Sequence, residues 1–229
     1  MKRHLGRILL LLALSVLALQ LVFALRVALM ILIDPQSTTF QRSEAWRLLT
    51  EKQRIAWSQD WVDDSRLSVQ LKRAVIASED AGFVDHPGFE WEAIERAWQR
   101  NQQRPKRVVG GSTITQQLAK NLFLSGERNV ARKAQELVIA LLLETLLGKE
   151  RILEIYLNNV EWGEGLFGAQ AASRHYFRVD AARLSPAQAA RLAVMLPAPK
   201  TYERRPGSGY IAERSGTILA RMSDVKVPK

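Results

Sequence analysis

The first segment that could carry chemistry is the carboxylate pair Glu79-Asp80, which closes an apolar helical pattern before a glycine-containing turn with His86. A carboxyl group held beside apolar surface has its pKa raised toward neutrality and can act as a general base. Charged residues are also common where helices end and turns begin. On its own, the segment favours this plainer interpretation.

The second segment, residues 110–121, begins with paired glycines. Glycines followed by Ser and Thr at a helix start leave backbone N–H groups at the positive helix end, which suits a phosphate, and Lys120 could add a positive charge. A glycine loop with a Ser/Thr N-cap would explain the front half but not the polar run from Thr113 to Asn121. The segment lacks the Lys-Ser/Thr of a nucleotide P-loop.

Two further segments have a plainer first interpretation. Arg132 and Glu136 lie four residues apart and share a helix face, and for such a pair a surface ion pair is the default. Residues 149–158 are interpreted as an amphipathic core helix with no chemistry assigned.

Together the four segments resemble the peptidoglycan glycosyltransferase domain of class A penicillin-binding proteins and stand-alone monofunctional transglycosylases. The family's motifs occur in order: Glu-Asp-x-x-Phe-x-x-His-x-Gly at 79–88, Gly-Gly-Ser-Thr-Ile-Thr-Gln-Gln at 110–117, Arg-Lys-x-x-Glu at 132–136 and Lys-x-x-Ile-Leu-Glu-x-Tyr-Leu-Asn at 149–158. One motif alone would be weak evidence, whereas four in order are highly specific. The resemblance covers residues 40–215.

The resemblance implies a mostly α, lysozyme-like glycosyltransferase domain with a membrane-apposed lobe. It implies polymerisation of peptidoglycan glycan chains from lipid II, an undecaprenyl-pyrophosphate disaccharide-pentapeptide. The growing glycan would pass with inversion from undecaprenyl pyrophosphate to the 4-hydroxyl of the acceptor sugar. Lipid II and the nascent glycan chain are therefore the expected substrates.

The resemblance also assigns roles to residues. Glu79 would be the general base, and Glu136 would orient cations or hold a divalent metal, Mg or Mn, which only the resemblance suggests. Three cations would stabilise the departing pyrophosphate: Lys120, Arg128 and Arg132. The other residues implied in substrate binding are Asp80, Phe83, His86, Ser112, Thr113, Gln117, Asn121 and Lys133.

Two features stand apart from the family's pattern. Gln188 occupies a position where many relatives carry an acidic residue, and we interpret this position as structural. Residues 223–226 spell the Ser-x-x-Lys of a transpeptidase, but no Lys-Thr-Gly follows. Cross-linking activity is therefore not predicted.

The N-terminus predicts a membrane anchor. Residues 8–25 are 18 residues without a charge, and as a helix they would span about 27 Å, close to the hydrocarbon thickness of a bilayer. This run is longer than the apolar region of a typical cleaved signal, so an uncleaved signal anchor is predicted. The predicted segments are a cytoplasmic N-terminus 1–7, a transmembrane anchor 8–33, a linker 34–39 and the glycosyltransferase domain 40–229.

Charge predicts orientation and partners. Lys2, Arg3 and Arg7 favour an N-terminus inside the bacterial inner membrane and a catalytic domain in the periplasm, with Arg26 near the far interface. The net charge of +10 favours anionic partners. For an anchored, outward-facing domain these are membrane lipids and a lipid pyrophosphate rather than nucleic acid. Other cell-wall synthesis proteins are further expected partners.

The rest of the chain predicts mostly helix. Apolar residues have helical spacing in five segments, and no window shows sustained strand alternation: residues 69–77, 91–98, 130–147, 151–157 and 186–196. Ser185 and Pro186 form an N-cap and first-turn signature. The chain has no cysteine, which excludes disulfides and thiolate metal sites, and no His/Asp/Glu group has metal-ligand spacing.

Two other function classes stay open at this point. A glycan-cleaving enzyme, such as a lytic transglycosylase or lysozyme, would also use a glutamate but would need neither an anchor nor a cation cluster. A non-catalytic membrane scaffold would tolerate the loss of Glu79.

Overall fold

The computed structural model describes residues 2–90, 95, 111–124, 126–127 and 129–228. Ten α-helices lie in these ranges: α1 (Lys2–Leu29), α2 (Thr39–Lys52), α3 (Val69–Glu79), α4 (Ile114–Phe123), α5 (Val130–Leu146), α6 (Lys149–Asn159), α7 (Ala169–Phe177), α8 (Pro186–Met195), α9 (Pro199–Glu203) and α10 (Gly209–Arg221). Two 3₁₀ turns, Asp64–Arg66 and Ala181–Arg183, complete the helical structure there. The predicted mostly α fold is confirmed.

Side-chain caps fix where several helices begin. Thr38 and Gln41 form a reciprocal capping box at the start of α2. The predicted N-cap of α8 is confirmed, because the Ser185 hydroxyl accepts a hydrogen bond from the Gln188 backbone N–H (3.3 Å). The Gln188 side chain in turn accepts from the Ser185 backbone N–H (2.9 Å). The structural interpretation of Gln188 is thereby confirmed as well.

The helices predicted over 69–77, 130–147, 151–157 and 186–196 correspond to α3, α5, α6 and α8. The predicted helix over 91–98 lies outside the described residues except for Glu95. A small sheet was not predicted. Its strands, β1 (Ser58–Gln59), β2 (Glu161–Gly163) and β3 (Leu166–Phe167), are too short to show alternation.

The small sheet depends on one glycine in its turn. Its order is β1-β3-β2, with β1 parallel and β2 antiparallel to β3. Gly165, in the turn between β2 and β3, has φ +70°, and a Cβ there would lie 2.0 Å from the Ala56 carbonyl oxygen. Only glycine fits this combination of positive φ and close backbone approach.

We expect Gly165→Ala to lower the free energy of unfolding by more than about 1 kcal/mol, because alanine is strained at positive φ and clashes with backbone. Thermal unfolding followed by circular dichroism measures this. Gly216→Ala, within α10 and with nothing near its added methyl group, is the control and should be neutral or stabilising. Equal melting temperatures for Gly165→Ala and wild type would contradict the account.

The helices after α1 pack around two centres, α8 and α4. Helix α8 packs against both α3 and α10, while α4 packs against α2, α5 and α6. The core includes fully buried Tyr156, Trp162 and Phe167. Helix α3, whose last residue is Glu79, therefore has its position fixed by its packing against α8 and α10.

Helix α1 is the one helix in the described part of the chain long and apolar enough to cross a membrane, over His4–Leu29. Residues 4–19 of α1 are exposed, whereas its second half packs against α5. Val27 and Met30 are buried there, and the Arg151 guanidinium donates to the Met30 carbonyl oxygen (2.8 Å). The apolar helix is consistent with the predicted anchor.

Candidate active site

Glu79 lies at the C-terminal end of α3 with both carboxylate oxygens hydrogen-bonded. Ser78 donates its hydroxyl to Oε1 (3.1 Å), and the Gln117 side-chain amide donates to Oε2 (3.1 Å). Gln117 is in turn oriented by Tyr156, whose hydroxyl donates to the Gln117 amide oxygen (3.0 Å). Burial raises the pKa of Tyr156 well above its ordinary value, so this hydroxyl remains a donor.

The pKa of Glu79 is raised, mainly because burial penalises the charged carboxylate. Hydrogen bonds from Gln117 and Ser78 and the charge of Arg214 lower it, and the charge of Asp80 raises it. Arg214 lies on α10 between buried Ile211 and Ile218, on the side of α10 that packs inward. A raised pKa suits a general base that must hold a proton transiently.

Glu79 must be ionised to accept a proton, so the reaction rate should fall as the pH is lowered through the pKa of Glu79. Because this pKa is raised, we expect the fall at a higher pH than for an ordinary glutamate. Arg214→Gln removes a nearby positive charge and should move this acidic limb of kcat/KM to higher pH. The pH–rate profile measures the shift, with Arg221→Gln, an exposed arginine on the same helix, as the control. An unmoved limb in Arg214→Gln, or one moved to lower pH, would show that Arg214 does not act on Glu79.

Asp80 joins three segments next to Glu79. Its carboxylate accepts from His86 Nε2 (2.8 Å) and from the Ile114 backbone N–H at the start of α4 (3.0 Å). His86 Nδ1 accepts from the Gly88 N–H (3.1 Å), so Nε2 carries the proton. Asp80 thus fixes the start of α4, which bears Gln117, relative to the end of α3.

Several predicted substrate-binding residues face the protein interior. Phe83 is fully buried, and Lys149 Nζ lies 4.5 Å from its ring centroid. Thr113 is buried, donates to the Gly88 carbonyl oxygen (2.6 Å) and caps α4. These contacts give Phe83, Thr113, Asp80 and His86 positioning roles, and their predicted contact with substrate stays a prediction.

The other predicted residues line a cavity of about 290 Å³ beside Glu79. Its walls come from α2, α4, α5 and the segments around them. The lining residues are Phe40, Ser112, Gln116, Gln117, Lys120, Asn121, Leu124, Gly126, Arg132, Lys133 and Glu136. Three of them are cations and one is a carboxylate, so the cavity favours an anion. Arg128, also predicted in this cluster, lies outside the described residues.

Glu136 organises the cationic wall of the cavity. This buried carboxylate accepts from Arg132 (2.7 Å) and also binds Lys133 Nζ. Because Glu136 lies on α5 with both cations, the three side chains form a preorganised unit. Within the part of the chain that the structure describes, the Nε atom of Arg132 and the side-chain nitrogen of Gln116 are buried without a hydrogen-bond partner. Buried donors without a partner are uncommon in native proteins.

In the described part of the chain, the side chains around Glu136 do not provide a donor set for a protein-bound divalent metal. Among the described residues, no group of three His, Cys, Asp or Glu side chains could hold an ion. Glu136, the predicted ligand, already has its oxygens on Arg132 and Lys133. The metal stays a prediction from resemblance, and no step below depends on it.

Two residues near Glu79 were missed by sequence reasoning. Tyr156 lies in the fourth motif, to which no chemistry was assigned, and it reaches Glu79 only through Gln117. Because nearly all residues of α6 are buried, the apolar pattern of this helix does not distinguish Tyr156 from core residues. Arg214 follows Ile211 at helical spacing, but only the packing of α10 on α3 brings its charge to Glu79.

Comparison with known proteins shows the family of this chain. A sequence profile of the family described as transglycosylase matches residues 47–223. The chain is 53% identical over 212 residues to the biosynthetic peptidoglycan transglycosylase of Burkholderia pseudomallei strain K96243, covering 93% of this chain and 83% of the relative. It is 50% identical over 216 residues to the protein of the same name from Paraburkholderia xenovorans strain LB400, covering 94% and 90%.

The family match over residues 47–223 includes α3 to α6 and every predicted site residue. The transglycosylase domain is a mostly helical, lysozyme-like fold, as the motifs implied. The chain belongs to the transglycosylase family.

Proposed function

We propose that this chain polymerises peptidoglycan glycan strands from lipid II. Gln117 carries the proposal, because it both lines the cation-walled cavity and donates to Glu79. The proposed general base, Glu79, therefore lies one hydrogen bond away from a residue of the proposed anion site. A glycosyl transfer from a pyrophosphate donor requires this pair of functions side by side.

In the proposed reaction, Glu79 takes the proton from the 4-hydroxyl of the acceptor sugar as that oxygen attacks the donor's anomeric carbon. The new C–O glycosidic bond forms while the bond from the anomeric carbon to the pyrophosphate oxygen breaks. The electron pair of that bond leaves with undecaprenyl pyrophosphate. Attack opposite the leaving group converts an α-linked donor into a β-linked glycan.

The cavity would stabilise the leaving group. Negative charge grows on the pyrophosphate as the bond breaks, and Lys120, Arg132 and Lys133 are already in place to meet it. Charges held in advance cost little reorganisation during the reaction. Ser112 and Asn121, on the same walls, would hold the donor's polar groups, and Glu136 would hold the cations in position.

The placement we propose is a single-pass protein of the inner membrane. Basic residues Lys2, Arg3 and Arg7 precede the apolar run of α1, which favours an N-terminus inside and a catalytic domain in the periplasm. The catalytic domain would then bind lipid II and the nascent glycan, and contact membrane lipids, at the periplasmic surface of this membrane. Other cell-wall synthesis proteins are proposed partners.

Two assays of the purified protein test this function. One supplies labelled lipid II, and the other supplies finished cell wall. We expect long glycan from lipid II and no release of fragments from the wall. Fragments from the wall with no polymer from lipid II would instead identify a glycan-cleaving enzyme. The cation-lined cavity favours polymerisation, because glycan cleavage has no pyrophosphate to bind.

A further inference from the structure

The first residue of the fourth motif, Lys149, is a cation that does not line the anion cavity. It begins α6, and its side chain is only 18% exposed. Its ammonium group donates to the His86 carbonyl oxygen (2.7 Å) and to Glu144 Oε1 (2.8 Å), and it lies 4.5 Å from the Phe83 ring centroid. A half-enclosed ammonium with these partners is held in one place by the protein.

Glu144, the partner of Lys149 on α5, extends this contact to α4. Its Oε1 also accepts from the Thr115 hydroxyl (2.5 Å), and Thr115 is fully buried two residues before Gln117. The Glu144 side chain lies against Gly88 as well, where an added Cβ would be 2.7 Å from Glu144 Cγ. Glu144 therefore touches both the turn after α3 and the first turn of α4.

These two segments are the ones that meet at Glu79. The turn, residues 81–88, follows Asp80, whose carboxylate accepts from His86 (2.8 Å). Helix α4 carries Gln117, which donates to Glu79 (3.1 Å). The ion pair on α5 and α6 binds the same two segments through other atoms, so it sets the position of one relative to the other.

We infer that Lys149 and Glu144 form a positioning pair for the general base. The pair would hold the turn after α3 and the start of α4 in the arrangement in which Gln117 meets a buried Glu79. This inference rests on the proposed role of Glu79 in glycan polymerisation. It gives the first residue of the fourth motif a role in the reaction without contact to substrate.

Two variants separate position from charge. Lys149→Met keeps an unbranched side chain that can stay beside the Phe83 ring, but it loses the ammonium donors. Lys149→Met combined with Glu144→Gln removes both charges, so no carboxylate is left buried without its cation. Lys226→Met is the matched control, because Lys226 contacts the same turn at Asp85 (2.8 Å) but from the exposed surface.

With lipid II as substrate, we expect both Lys149 variants to lower kcat by about 10-fold to 10²-fold, the effect of a small misplacement of a catalytic group. KM should stay nearly unchanged, because the cavity is intact. The acidic limb of kcat/KM should move to lower pH, because water admitted around Glu79 weakens the burial that raises its pKa. Lys226→Met should behave as wild type in all three measurements.

Three outcomes would overturn the inference. An acidic limb moved to higher pH would show that Lys149 acts on Glu79 through its charge, since loss of a nearby cation raises the pKa of a carboxyl group. A raised KM with unchanged kcat would place Lys149 in substrate binding. A fall in kcat that only follows the folded fraction, measured by thermal unfolding, with an unmoved limb would leave Lys149 a purely structural role.

Hydrogen exchange of the full-length protein in detergent micelles tests the same contact without turnover. We expect the backbone amides of residues 81–88 and 113–117 to exchange severalfold faster in both Lys149 variants and at the wild-type rate in Lys226→Met. Unchanged exchange in the Lys149 variants would also overturn the inference. If the wild type made no polymer while exchange changed as expected, the proposed function would fail and the positioning contact would stand.

Discussion

Replacing Glu79 by glutamine is expected to lower the rate of glycan polymerisation by about 10²–10⁴-fold, the usual contribution of a general base. Glutamine keeps the size of the side chain and can still contact Ser78 and Gln117, but it cannot take the acceptor's proton. The rate measured with labelled lipid II at saturating concentration is the readout. The fold should survive, because burial already disfavours the charged form of Glu79.

Asp85→Asn is the matched control for this substitution. Asp85 lies in the same motif, but its carboxylate is exposed and pairs with Lys226 at the surface (2.8 Å). Its amide variant should polymerise at the wild-type rate. A Glu79→Gln variant with near wild-type activity, and an unchanged melting temperature, would remove Glu79 from the role of base.

Removal of the Lys120 side-chain charge should have the second largest effect. Lys120→Ala is expected to reduce kcat by about 10²–10³-fold, the cost of losing one group that stabilises charge in the transition state. Because charge grows on the pyrophosphate only as the bond breaks, the loss should appear in kcat more than in KM. Steady-state kinetics with lipid II in detergent micelles separates the two constants.

Lys52→Ala, an exposed lysine at the end of α2, controls for general loss of positive charge. It should leave both constants unchanged. If Lys120→Ala raised KM alone, or if Lys52→Ala were equally harmful, Lys120 would serve general attraction to an anionic surface. The pyrophosphate role would then be wrong.

The motifs predicted which residues lie close together, but not which of them line the cavity and which position other residues. Glu79 and Gln117 come from two motifs, and the structure joins them directly. Asp80, by contrast, binds His86 and the start of α4, and neither residue lines the cavity. That outcome depends on how the turn after α3 folds back, and no residue spacing encodes it.

Long-range packing explains the other differences. Tyr156 acts at a distance through Gln117, and Arg214 acts through the packing of α10 on α3, so neither contact has a local signature. The anchor was predicted as a separate segment because its apolar run alone is long enough to indicate a membrane span. Its second half is nevertheless part of the domain's packing, through single residues such as Gln20 and Val27.

The most direct test of the proposed reaction is its stoichiometry with doubly labelled lipid II. Purified full-length protein is supplied with substrate labelled in both the sugar and the prenyl chain, and polymer and free undecaprenyl pyrophosphate are measured over time. The account predicts about one pyrophosphate lipid released for each disaccharide joined to the glycan, apart from the one retained at the end of each chain. Release of the lipid without growth of polymer would show hydrolysis rather than glycosyl transfer and would contradict it.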